Sequence, residues 1–202
     1  MRSLQSSSVG ARAALLYVIV GAGCAEDLRP DGAGADETQP IVTEPTGENA
    51  FVTRVDASDA EVWVYFSFVS GGEVIPLDPA DSPDWDLGFQ RFHIISNGGA
   101  SGSGGARVAV LSGQTLDAVL TPPEDGYLAD QPDGDDSDTV VDSAFADGDG
   151  WYDYDETTNR LSPRDNVYVV ETARGAHYAL SILGYYDDAG SSGHPSFAWS
   201  EL

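Results

Sequence analysis

Trp85–Ser96, WDLGFQRFHIIS, is the longest candidate strand in the chain, and its reading decides the fold class. Read as one strand, it puts Trp85, Leu87, Phe89, Arg91, His93 and Ile95 on one face by the period of two. Trp85 is then expected to fill core, and Arg91 to pair with an acid on a neighbouring strand. Downstream, Asn97–Gly105 (NGGASGSGG) predicts a loop that needs positive φ at several positions, which glycine adopts without steric penalty. Upstream, Val62–Phe68 (VWVYFSF) is a near-continuous β-branched and aromatic run, as expected of a strand buried on both faces. Gly71-Gly72 marks a turn, after which Glu73–Leu77 returns. Further on, Arg107–Leu111 predicts a strand, and Val167–Thr172 is expected to pair with His177–Tyr186 across a turn at Arg174-Gly175. Phe197–Trp199 is expected to begin a last, edge strand. No stretch carries helical periodicity, so the fold class is all-β: an antiparallel sandwich or barrel-like domain with long acidic loops.

The chain has 202 residues, enough for one such domain plus a tether. It contains 34 acidic residues against nine basic ones, all Arg, for a net charge of −25. A surface this negative repels phosphate backbones, which argues against nucleic acid as a partner. The N-terminal segment reads as an export signal. Arg2 and Arg12 precede a short apolar core, Ala13–Val20, followed by Gly21-Ala22-Gly23 and Cys24. The apolar run is too short to span a bilayer and has the length of a signal-peptide core. Cys24 is the only cysteine and so has no internal disulfide partner. Its setting resembles the lipobox of bacterial lipoproteins, with Gly21 where that motif usually has Leu. The resemblance implies lipidation of Cys24 and, with Ala25 following, an outer-membrane or cell-surface location. The division expected is a signal peptide over 1–23, a lipidated Cys and disordered acidic tether over 24–49, and the all-β domain over 50–202. As a flexible coil the tether would span roughly 25–30 Å.

Enzyme signatures are missing. Without lysine there is neither a Walker A loop nor Schiff-base chemistry. Gly99-Ala-Ser101-Gly-Ser103 is not a G-x-S-x-G nucleophile elbow, because it ends in Ser. There is no H-E-x-x-H, and His93, His177 and His194 have no metal-ligand spacing. The chain is therefore read as a binding protein and not as an enzyme. Between Glu124 and Glu156 lie 13 acids and no base. Asp133, Asp135, Asp138, Asp147 and Asp149 form two clusters of the kind from which calcium cages are built, although the EF-hand pattern fails at its later positions. These loops suggest calcium or a protein partner as an alternative ligand.

The segment Asp84–Gly105, DWDLGFQRFHIISNGGASGSGG, resembles the signature stretch of the HmuY family of bacterial haem-binding lipoproteins. Its flanks agree in order: VWVYFSF before it, Pro123–Tyr127 after it, then VYVVETARGAHYALSILGYYD and a final aromatic strand. The resemblance runs from about Val55 to Trp199 and implies an all-β domain that grips haem between two finger-like loops. It also implies partners: haem or a haemoprotein on one side, an outer-membrane receptor on the other. Haem iron takes axial ligands from His, Met, Cys or Tyr. The family's His/Met pair has no counterpart here, because the loops over 127–162 hold neither residue. Tyr152 and Tyr154 lie where one finger is expected, and Tyr154, His177 and His194 are the haem-binding candidates.

Overall fold

The computed structural model describes residues 39–134 and 140–202. Three hairpins come first. β1 (Ile41–Gly47) pairs with β2 (Ala50–Val55), β3 (Val64–Ser67) with β4 (Gly72–Val74), and β5 (Leu87–Gln90) with β6 (His93–Ser96). After β7 (Arg107–Ser112) a single 3₁₀ turn at Leu116–Ala118 leads to the short β8 (Tyr127–Leu128). β9 (Tyr152–Asp155) and β10 (Arg160–Pro163) form a fourth hairpin. β11 (Asn166–Glu171), β12 (His177–Tyr186) and β13 (Ser192–Glu201) follow. The strands assemble into antiparallel sheets in the orders β1-β2-β13-β12-β11-β7-β8, β4-β3-β5-β6 and β10-β9. The architecture is an open sandwich, with no closed barrel.

Alternation along the central strands explains how the large sheet is buried on both faces. On β11, Tyr168 and Val170 point into the main core, while Val167 and Val169 join a smaller cluster on the outer face with Ala109, Val119 and Ala179. The 3₁₀ turn adds Leu116 to that cluster. Between the two larger sheets the core is largely aromatic. Phe66 meets Phe197 edge-on at 5.3 Å, Phe89 stacks on Phe197 at 5.6 Å, and Phe68 stacks on Tyr178 at 4.3 Å. Such pairs add to the area they bury, because the ring edge is positive and the face negative.

Four expectations change here. Trp85–Ser96 is not one strand but a tight hairpin, with Gln90 opposite His93 and only Arg91 and Phe92 between them. The reversal moves the inward residue of the return strand from Ile95 to Ile94. Trp85 is fully buried, but beneath the Gly/Ser loop, against Tyr65 at 4.8 Å, with its indole N–H donating to the Pro79 carbonyl. Among the described residues Arg91 pairs with no acid; its guanidinium donates to the Ser58 carbonyl and the Ser192 hydroxyl, 2.9 Å each. β13 is not an edge strand but lies between β12 and β2, and the register shifts there beside Pro195, which has no N–H to give the ladder. The span to Asn49, expected to be tether, holds β1, which covers the edge of β2. Residues 1–38, including Cys24, lie outside the described residues.

Phe66 is completely buried and touches Phe68, Phe197 and Trp199. Phe66→Ala is expected to cost about 3–5 kcal/mol, read as a lower midpoint in denaturant unfolding with the m-value kept.

Candidate ligand cleft

The signature stretch builds a scaffold from buried polar groups. Asn97, fully buried, donates its amide to the carbonyls of Ser82 and Trp85, 2.8 Å each, and accepts from the Gly104 N–H at 3.0 Å. It closes the Gly/Ser loop at its base. Asp86 accepts from the Phe68 N–H and the Ser67 hydroxyl, joining β3 to the start of β5. Asp130 does more. Its carboxylate accepts from the Ser96 N–H (2.8 Å), the Ser96 hydroxyl (3.1 Å), the Ser101 hydroxyl (2.6 Å) and the Ala144 N–H (2.9 Å). Its carbonyl accepts from the Ala100 N–H. A Cβ at Gly99 would sit 1.9 Å from that carbonyl oxygen, so only glycine lets the loop approach. Burial pushes the carboxyl pKa of Asp86 and of Asp130 upward, against the opposing pull of these hydrogen bonds. Ser101 faces Asp130 with no histidine in the set, so this is a structural contact and not a nucleophile with its base.

Asp130 thereby fixes the chain at Ala144. Seven residues later the indole N–H of Trp151 donates to the Phe92 carbonyl at 3.0 Å. Between these two points the chain arches over the tip of the β5–β6 hairpin and leaves a cleft of about 340 Å³. Phe92, Ile94, Ile95, Phe145, Trp151 and Tyr152 supply apolar and aromatic lining, and His93 lies at the hairpin end of it. The rings lie close: Phe92 to His93 at 4.2 Å, Phe92 to Tyr152 at 6.0 Å, Trp151 to Tyr152 at 4.9 Å. Ser143 donates its hydroxyl to the Ile94 carbonyl and closes the floor. Asp142 and Asp149 add negative charge to the lining. The nearby cation, Arg164, is held by Asp153 at 2.7 Å and Asp149 at 3.5 Å, and donates its Nε–H to the Tyr152 carbonyl at 3.0 Å. It braces the aromatic wall.

The haem candidates do not gather here. Tyr154 is half exposed on β9, with its hydroxyl given to Asn159 at 2.8 Å. His177 begins β12 and faces the Tyr127 ring at 6.0 Å. His194, on β13, sits between Asp56 (3.4 Å) and the Ser191 carbonyl (3.2 Å). The His177 carbonyl accepts from Leu202 N–H, eight residues along from His194, so about 26 Å of strand separates the two. The calcium reading finds no support. Among the described residues no group of three or more His, Cys, Asp or Glu is arranged to hold a metal, and Asp149 turns to Arg164. Asp133 and Asp147 are described and belong to no such group. Asp135 and Asp138 lie outside the described residues. The residues that line the cleft, Phe92 and His93 above all, were hidden by the reading of Trp85–Ser96 as one straight strand. The signal that finds them is the polar break Gln90-Arg91 between two apolar runs.

The chain is thus an all-β antiparallel sandwich with an aromatic cleft beside a Gly/Ser-loop scaffold. The sequence model described as HmuY protein matches residues 59–199, and the chain belongs to that family. Among solved structures, an apo HmuY analogue from Tannerella forsythia has a TM-score of 0.57 at 16% identity, covering 83% of this chain and 99% of that one. A structure from Bacteroides vulgatus, titled as an HmuY-like haem-binding protein, scores 0.55 at 15% identity over 80% and 97% of the two chains. One from Bacteroides fragilis, titled as a lipoprotein, scores 0.58 at 18% identity over 80% and 96%. At these identities the likeness is one of fold. No curated protein matches the chain significantly.

Asp130→Ala leaves four donors without their acceptor, and unmet buried donors cost on the order of 1–3 kcal/mol each before relaxation. The variant is expected to lose about 3 kcal/mol or more. Hydrogen exchange should show the lost protection first at Ser96 and Ala144.

Proposed function

We propose that this chain is a haem-binding carrier of the bacterial cell surface, holding the porphyrin in the cleft between the β5–β6 hairpin and residues 140–152. The observation that carries this reading is the lining itself. A porphyrin is a flat apolar plate, and Phe92, Trp151 and Tyr152 offer ring faces and edges to it, with nitrogen and oxygen donors on His93 and Tyr152 for its iron. Membership of the HmuY family and the description of the Bacteroides vulgatus protein as haem-binding agree with it. The propionates are best left in solvent, because Asp142 and Asp149 repel them and Arg164 is already engaged. Such a protein binds and releases and performs no reaction of its own. Its place at the surface rests on the signal-like residues 2–23 and on Cys24 as the lipidated residue, whose acyl chains would hold it in the outer membrane beside a receptor that takes the haem onward.

Titration of the purified protein with haemin is expected to give a saturable one-to-one shift in the Soret band. The affinity should rise as salt is added, because screening weakens the repulsion between the acidic rim and the propionates. A spectrum that never departs from that of free haemin would remove haem as the ligand. For the anchor, Cys24→Ser is expected to move the protein from the membrane fraction to the soluble one and to abolish labelling by a radioactive fatty acid.

A further inference from the structure

Two exposed aliphatic side chains stand apart from everything the cleft explains. Ile75 is 87% exposed and Leu77 wholly so. They follow β4, the outer strand of the four-stranded sheet, and the alternation of that strand runs on through them. Val74 and Pro76 are partly buried, whereas Glu73, Ile75 and Leu77 face solvent. Val69, in the β3–β4 turn, is 66% exposed and lines a shallow hollow of about 430 Å³ together with Ile75 and Pro76. Single apolar residues on a surface are ordinary, but a cluster of them beside a free strand edge marks a place where another chain can add. The edge is free in its backbone as well. The Phe66 carbonyl points to β5, where it accepts from the Asp86 N–H at 2.8 Å. Its neighbours Tyr65 and Ser67 therefore point to β4, and their partners Val74 and Gly72 turn their backbone groups to β3. By the same alternation Glu73 and Ile75 turn N–H and C=O outward, and among the described residues no strand pairs with that side. Proline often protects an edge by removing a donor. Pro76 falls in the inward register, so it shortens the ladder with β3 and leaves the outward N–H of Ile75 in place.

Charge selects the occupant. Residues 73–84 carry Glu73, Asp78, Asp81 and Asp84, all exposed, and no basic residue. Glu73 and Asp78 bracket the two aliphatic side chains. The nearby cation, Arg174, is drawn to Asp84 at 3.6 Å. A second copy of this chain would bring the same acids, and a net charge of −25, to the same edge, and the two would repel. We infer that the outer edge of β4, continued through Leu77, takes an added strand from a partner protein: an extended segment with an apolar middle and lysine or arginine at its flanks. Backbone hydrogen bonds to Glu73 and Ile75 fix its register. Its apolar side chains cover Ile75 and Leu77, and its cations meet the carboxylates on either side. The surface shares no residue with the cleft, so the inference stands independently of the haem reading.

The test uses the purified protein and one probe, the end-capped peptide Lys-Arg-Val-Thr-Val-Arg-Lys. Its control is the acidic analogue in which glutamate replaces the four basic residues. Wild type is expected to bind the basic peptide saturably and the acidic one not at all. On binding, the Ile75 amide should exchange its hydrogen about tenfold more slowly than in the free protein. The double variant Ile75→Ser, Leu77→Ser alters two solvent-facing side chains. It is expected to keep the wild-type unfolding midpoint and to weaken the peptide by about tenfold. If the double variant binds the basic peptide as well as wild type does, and the Ile75 amide stays unprotected, the attraction is one of bulk charge and the inference falls. If the Ile75 amide is protected without peptide, and more so as protein concentration rises, a second copy occupies the edge and the cationic partner is excluded. If wild type binds neither peptide, the edge accepts no such strand and the inference fails outright. Haemin titration of the same double variant should match wild type, which keeps the outcome at this edge separate from the outcome at the cleft.

Discussion

The carboxylate of Asp130 is where the domain's separate parts are tied together. It stands beyond the end of β8, outside any long strand, yet it accepts hydrogen bonds from the end of β6, from the Gly/Ser loop and from the chain that covers the cleft. A buried carboxylate is costly unless each lone pair finds a donor, and here four donors converge. The arrangement carries information as well as energy. Ser96 can meet Asp130 only if the hairpin keeps its register, Ser101 only if the glycines let the loop fold back, and Ala144 only if the long connection returns to the same spot. Asn97 and Asp86 do the same work on a smaller scale, so the signature stretch is a set of mutually dependent polar contacts laid on an aromatic sandwich.

This division of labour explains what was readable in the sequence. Where a strand is buried between neighbours, composition betrays it: VYVVE and HYALSILGYY pair in the structure as the amino acids suggest. The Gly/Ser loop is likewise visible, because positive φ demands glycine. The hairpin inside Trp85–Ser96 was not, because its turn carries Arg and Phe where Asn and Gly are the usual markers. Tertiary hydrogen bonds that Arg91 donates to Ala57, Ser58 and Ser192 hold that turn, and these acceptors lie far along the chain. β1 was hidden for a related reason. Its Thr, Glu and Pro residues match a tether in composition, and only pairing with β2 makes them a strand.

The candidate site was legible in its class and not in its members. The Trp-Asp and Asn-Gly-Gly motifs point to the family, yet in the structure they build the frame and touch the ligand cleft only through the hairpin they support. The two histidines offered as haem candidates, His177 and His194, sit at opposite ends of the paired strands β12 and β13. Asp130 has no local pattern at all: in a stretch of 13 acids nothing in the sequence separates Asp130, which is buried, from the other described acids, which are exposed. Its importance is a property of three distant segments meeting, which one-dimensional patterns do not encode.

The two walls of the cleft differ in how they are made. The hairpin wall is short, seated on backbone and complete once the sheet folds. The facing wall is fastened at Ala144 and again at Trp151, and residues 145–150 run between these fixings with two glycines of positive φ, Gly148 and Gly150. Substitutions within that span can reshape the cavity while both fastenings survive. The fold thus separates a structural half, which must be right for the domain to exist, from a replaceable half, which shapes the cavity. A lineage built on this plan can reshape the cleft by editing a few codons without reopening the question of how to fold.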